Sequence, residues 1–151
     1  MSDPSSGEFF EKVGDALLSA VAPEYADFGG YSHGFGIKVT YGTGEHLKEH
    51  YESQIVRAGP KGALALEIGF HSEHPKAARN DEVLESLLKH DKRWRKALGK
   101  EPVAGPFLGN DRWRRISETW TEFDFRDPEL PFEVSDRLAT YIATFEPLLR
   151  R

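Results

Sequence analysis

Apolar residues at Phe9 or Phe10, Val13, Leu17 and Ala20 or Val21 recur at helical spacing, which predicts an amphipathic helix over 7–21. Ser5 and Glu8 stand three residues apart ahead of it, like a capping box, and Pro23 ends it. Residues 1–7, rich in Ser, Pro and Gly, read as a disordered lead-in, and 8–151 as a single domain. The period then changes to two. Ile37, Val39 and Tyr41 alternate with Lys38 and Thr40, which predicts a strand over 35–41. Two more strands, over 49–58 and 62–71, flank Gly59-Pro60-Lys61-Gly62, a sequence built for a tight turn. Along the second of them Leu64, Leu66, Ile68 and Phe70 share one face, and Ala65, Glu67, Gly69 and His71 the other. That alternation marks an antiparallel strand with a single apolar face.

Helical spacing returns after Pro75. Asn80, Leu84, Leu87, Asp91, Trp94 and Leu98 form one stripe, so 76–98 reads as one long helix that Gly99 stops. The glycines of 26–36 and the prolines and glycines of 101–111 read as loops. A last strand is expected over 112–123 around Ile116, and a last helix around Val134, Leu138, Tyr141, Ile142, Phe145 and Leu149. Three strands in a row on short turns cannot be parallel, because parallel neighbours need long crossovers. The expected fold is therefore α+β: an antiparallel sheet of about four strands, in the order α-β-β-β-α-β-α, with helices on one face. Leu66, Ile68, Leu84, Leu87, Leu138, Ile142 and Phe145 should share its core, leaving Glu67 and His71 on the open face.

Composition narrows the function classes. The chain has 151 residues and no cysteine, which excludes disulfide scaffolds, thiolate zinc sites and cysteine nucleophiles. No apolar run approaches the ~18 residues of a membrane span, and the polar start does not resemble a signal peptide. A cytoplasmic protein is expected. The net charge of −5 conceals an asymmetry, since 89–115 hold nine Lys or Arg against Asp91, Glu101 and Asp111.

Glu67-Ile68-Gly69-Phe70-His71-Ser72-Glu73-His74 is the densest run of chemistry. Imidazole and carboxylate suit zinc and other transition metals, which nominates Glu67, His71 and His74 as a metal set, with His33 or His50 as a further ligand. A plainer reading has Ser72 or His74 capping the following helix. On the open sheet face, Lys38, Glu67, His71 and Arg115 form a candidate ligand-binding set, with Glu52 and Gln54 as further neighbours. Glu67 lacks the lysine two residues on that a nuclease strand would carry, and neither a Gly-x-Ser-x-Gly elbow nor a phosphate loop is present. Arginine also interleaves with tryptophan twice, in Lys92–Lys96 and Arg112–Arg115. Arg93, Arg95, Arg112 and Arg114 could grip phosphate while tryptophan stacks on a base.

The meander, the helix ending in Trp94-Arg95-Lys96-Ala97-Leu98-Gly99, the strand Arg115-Ile116-Ser117 and the helix carrying Phe145-Glu146-Pro147 together resemble a known family. It is an uncharacterised α+β domain often found at the C-terminus of predicted restriction-type nucleases, and the likeness covers roughly residues 31–151. The resemblance implies an accessory or interaction module and carries over no catalytic residue. The leading expectation is a non-catalytic binding or interaction module using the open sheet face, without a cofactor. Its partner would be a protein, a small molecule or a second copy in a homodimer. The alternatives are a metal-dependent hydrolase or nuclease-like enzyme using Glu67, His71 and His74, and a nucleic-acid-binding protein using 89–115.

Overall fold

The computed structural model describes residues 6–58, 60–107 and 109–149. Its helices and strands follow in the order α1 (Ser6–Ala20), β1 (Gly29–His33), β2 (Gly36–Thr40), β3 (Glu49–Val56), β4 (Ala65–Ser72), α2 (Ala77–Leu88), α3 (Asp91–Leu98), β5 (Val103–Phe107), β6 (Asn110–Trp120) and α4 (Leu130–Leu149). Every strand pair is antiparallel, in the spatial order β1-β2-β3-β4-β6-β5. The α+β class and the antiparallel sheet agree with the sequence reading, but the sheet has six strands where about four were expected.

Both additional strands are edges. β1 lies in the expected loop 26–36 and is exposed along its whole length, so no apolar alternation betrays it. β5 lies in the expected loop 101–111 and contains Pro106, beside a register shift between Pro106 and Phe107. An edge strand pairs along one side only, so proline and glycine are tolerated there. The expected long helix is also two helices. His90 leaves the helical region (φ −111°, ψ 22°), and the turn carries Trp94 into the interior, where its indole N–H donates to the Leu87 carbonyl at 2.9 Å. At the other end, residues 1–5 of the expected lead-in, Ser5 of the capping box included, lie outside the described residues. Ser6 and Gly7 belong to α1.

α1 and α4 pack on each other and on β2, β3 and β4, while α2 closes over β6. Ile37, Val39, Leu66, Ile68, Phe70 and Ile116 meet Val13, Leu17, Leu87, Trp94, Leu138, Ile142 and Phe145 in one core. Leu84 is only partly buried, and Leu64, 45% exposed, precedes the first residue of β4. The strand phase is as expected: Leu66, Ile68 and Phe70 face the helices, so Glu67, Gly69 and His71 project from the opposite face. Two glycines let strands close up on that face. A Cβ at Gly69 would lie 2.4 Å from the Ile116 carbonyl oxygen, and one at Gly36 would lie 2.7 Å from that of Ser53. No helix among the described residues is long and apolar enough to cross a membrane.

Candidate functional site

The ladder assembles the polar face. Between β3 and β4, His50 is opposite His71, Glu52 opposite Gly69 and Gln54 opposite Glu67. Beyond β4, Arg115 is opposite His71 and Ser117 opposite Gly69, while Lys38 of β2 faces Glu52. Directly opposed residues share a face, so the expected set Lys38, Glu67, His71 and Arg115 is brought together. Glu73 continues the alternation of β4 onto this face, its amide donating to the Lys48 carbonyl at 2.8 Å.

Two imidazoles and two carboxylates meet in a ring. His50 Nε2 lies 3.1 Å from Glu52 Oε1 and 3.4 Å from Glu73 Oε2. His71 Nδ1 lies 3.4 Å from Glu52 Oε1 and 3.2 Å from Glu73 Oε2. One atom from each of the four side chains falls within 4.8 Å of the other three, so these residues could hold a metal ion. The outer nitrogens are committed elsewhere. His50 Nδ1 is 3.2 Å from the Leu47 carbonyl, and His71 Nε2 is 3.1 Å from Glu67 Oε1. Glu67 in turn accepts from Gln54 at 2.7 Å, from Ser117 at 2.8 Å and from the Arg115 guanidinium. Lys38 Nζ stands 3.8 Å from the second oxygen of Glu73.

This face is not open, contrary to expectation. Glu67 and His71 are both 0% exposed. The bent end of the β5–β6 hairpin brings the Phe107 ring edge-on to His71 at 4.6 Å, and Phe107 meets Trp113 at 5.7 Å. Arg115 passes 5.1 Å from the same phenyl ring on its way to Glu67. The polar face is therefore a buried side-chain cluster, with Lys38 and Glu73 at its more exposed side.

Burial opposes charge on every carboxyl here, but hydrogen bonds outweigh it. Buried Glu52 is lowered to about 2 by His50 and His71. Burial likewise raises Glu67 and Glu73, yet His71 with Gln54 and Arg115 in the first case, and His50 with His71 in the second, hold both below the usual carboxylate range. Burial pushes the His71 ring down, but Glu52, Glu67 and Glu73 carry it well above its ordinary 6.5. Glu52, Glu67 and Glu73 thus favour the charged form of the His71 ring that they surround.

Other expected groupings do not form. His74 is parted from Glu67 and His71, because its Nε2 meets Glu49 Oε2 at 2.7 Å, and Glu49 lies on the helix-side phase of β3. The metal set Glu67, His71 and His74 is therefore not assembled. The reason is the pleat: residue 74 is out of phase with 67, 71 and 73. Neither Ser72 nor His74 caps α2. The Asn80 carboxamide instead receives Ser72 Oγ and the His74 amide at 2.7 and 2.8 Å, and its own amide group donates to the His74 and Arg112 carbonyls. The arginine set is divided as well. Arg95 stacks on Trp94 and donates to the Gly99 and Pro102 carbonyls, and Arg114 is bound to Asp81 and the Asp111 carbonyl. Arg93 and Arg112 are exposed. Glu73 and Ser117 are quoted in the sequence reading without being nominated for the site, although the 67-69-71-73 alternation is a signal that could have found Glu73.

Comparison with protein-family models, curated proteins and solved structures finds no match to this chain.

Proposed function

We propose that this chain is a non-catalytic binding module whose ligand is a cation held by the buried polar cluster of its sheet. One observation carries the reading. Glu52, Glu67 and Glu73 converge with two imidazoles on a closed face whose fixed cations are Arg115 and Lys38. Between the two imidazoles, Glu52 and Glu73, a bound cation can take the place of the proton that His71 otherwise shares with those carboxylates. Desolvating ions costs several kcal/mol each, and replacing buried ion networks with neutral groups of similar size is often neutral or stabilising. Carboxylates and imidazoles perturbed by burial and by one another gather at functional sites, where charge is arranged for a task.

The double substitution Glu52→Gln with Glu73→Gln tests the reading. It keeps the size of both side chains and removes both converging charges. Chelator-treated parent, titrated in turn with zinc, cobalt(II), manganese, magnesium and calcium chloride by calorimetry, should bind at least one of them, and the double variant, or Glu73→Gln alone where the double variant does not fold, should bind none. A parent that binds no cation, or a folded variant that binds as the parent does, would end the reading.

A further inference from the structure

We infer that His50, Glu52, His71 and Glu73 bind one divalent transition-metal ion of the zinc class. This rests on the cation-binding reading above and names its ligand.

The spacing fits first. In a tetrahedral site with bonds of about 2.0–2.1 Å, neighbouring ligand atoms are about 3.3–3.4 Å apart. The four imidazole–carboxylate edges of the ring measure 3.1, 3.4, 3.4 and 3.2 Å. The orientation of both imidazoles fits second. The Leu47 carbonyl and the Glu67 carboxylate can only accept, so His50 Nδ1 and His71 Nε2 carry the hydrogens. The opposite nitrogens, His50 Nε2 and His71 Nδ1, are the ones turned into the ring. Metal-bound histidines are held in this way, the outer N–H given to a carbonyl or carboxylate. With neutral rings, four acceptor atoms converge with no hydrogen between them, and a cation is what such a cage attracts. Binding requires His71 to surrender its Nδ1 proton to solvent as the ion arrives.

Ligand chemistry selects the ion. Two imidazole nitrogens with two carboxylate oxygens suit zinc, cobalt and nickel, whereas calcium and magnesium prefer six or more oxygens. Four protein ligands fill a tetrahedral shell and leave no position for an attacking water. The ion therefore braces β3 against β4 and does not activate a substrate. Glu67 does not touch it. Held by Arg115, Ser117 and Gln54, Glu67 fixes the His71 ring from behind.

The test titrates the whole, chelator-treated chain with zinc and cobalt(II) chloride, with magnesium and calcium alongside, by calorimetry and thermal melting. Near one equivalent of zinc should bind and raise the melting temperature by mass action. Cobalt should show the intense visible bands of a tetrahedral ion, and magnesium and calcium should do neither. Glu67→Gln should weaken zinc roughly 10–100-fold, the usual effect of loosening a ligand's support. Glu73→Gln and His50→Ala should weaken it further, and His33→Ala and His74→Ala should leave it unchanged. Near-ultraviolet dichroism from buried Trp94 reports whether each variant is folded. A folded parent that takes up no zinc overturns the assignment, as does zinc affinity that survives Glu73→Gln with His50→Ala or vanishes with His74→Ala. If zinc fails while another cation binds the parent and not the Glu52→Gln, Glu73→Gln protein, the ion is wrong and the cation-binding reading survives. If no cation binds the parent, both fall.

Discussion

Glu52 lies directly opposite Gly69 in the β3–β4 ladder, and its carboxylate comes within 3.4 Å of Nδ1 of His71, the next residue of β4 on the same face. The same glycine lets β6 approach β4. Gly69→Ala would force a Cβ to 2.4 Å from the Ile116 carbonyl oxygen and 2.5 Å from the Ser117 Cα. It should cost at least the 1–3 kcal/mol, roughly, of an overpacked interior. Gly105→Ala, where nothing lies within 4 Å, should be neutral or slightly stabilising. Urea unfolding of the two variants compares a close approach with an open one.

Glu67 reverses its sequence expectation. On an open face its truncation should cost little, but it is 0% exposed and held by His71, Gln54, Arg115 and Ser117. Glu67→Ala strands the Arg115 guanidinium and the His71 ring, so the expected loss is about 3–5 kcal/mol. Glu67→Gln, which still accepts hydrogen bonds, should lose less. Equal urea midpoints for parent and Glu67→Ala would show that the pocket opens to solvent.

Protonation sets a stability window for the metal-free protein. His71 is raised in the folded state, so its contribution is complete below 6.5 and is lost as pH climbs through the raised value. Glu52 is lowered, so its contribution is complete above 4.5 and is lost as pH falls toward about 2, with Glu67 and Glu73 behaving alike. With chelator present, melting temperature should therefore be highest between 4.5 and 6.5 as far as this network governs it. Glu52→Gln should flatten both limbs. A profile that keeps both limbs in that variant would place their origin elsewhere.

Ser53 Oγ, on the helix-facing side of β3, is buried with no hydrogen-bond partner among the described residues. Removing a lone hydroxyl of this kind relieves its desolvation. Ser53→Ala should stabilise the protein by about 1 kcal/mol, read from the urea midpoint.

The core gives a calibration for these values. Leu87 and Phe145 are fully enclosed, so Leu87→Ala or Phe145→Ala should cost roughly 2–5 kcal/mol. Leu64, on the apolar phase of the sequence but outside β4, should tolerate alanine within about 0.5 kcal/mol. A large effect at Leu64 would extend the core past the start of the strand.

The sequence by itself determined what depends on local periodicity. Alternation along Ala65–His71 fixed which side of β4 meets the helices, because successive side chains of a strand point to opposite faces. Helical spacing found α1 and α4, and the turn after Arg57 required an antiparallel pair. The same alternation put Glu67 and His71 on one face, whereas which residues of β2 and β6 join them depends on register, which local periodicity does not fix. What only the tertiary structure decided is everything set by register and curvature. β1 and β5 stayed hidden because an edge strand needs partners on one side only and carries no buried stripe. His50, Glu52 and Glu73 join His71 because the β3–β4 register puts Gly69, and no other residue, across from Glu52. Had the register slipped by one residue, the same side chains would have pointed into the apolar core, and the ring would not exist.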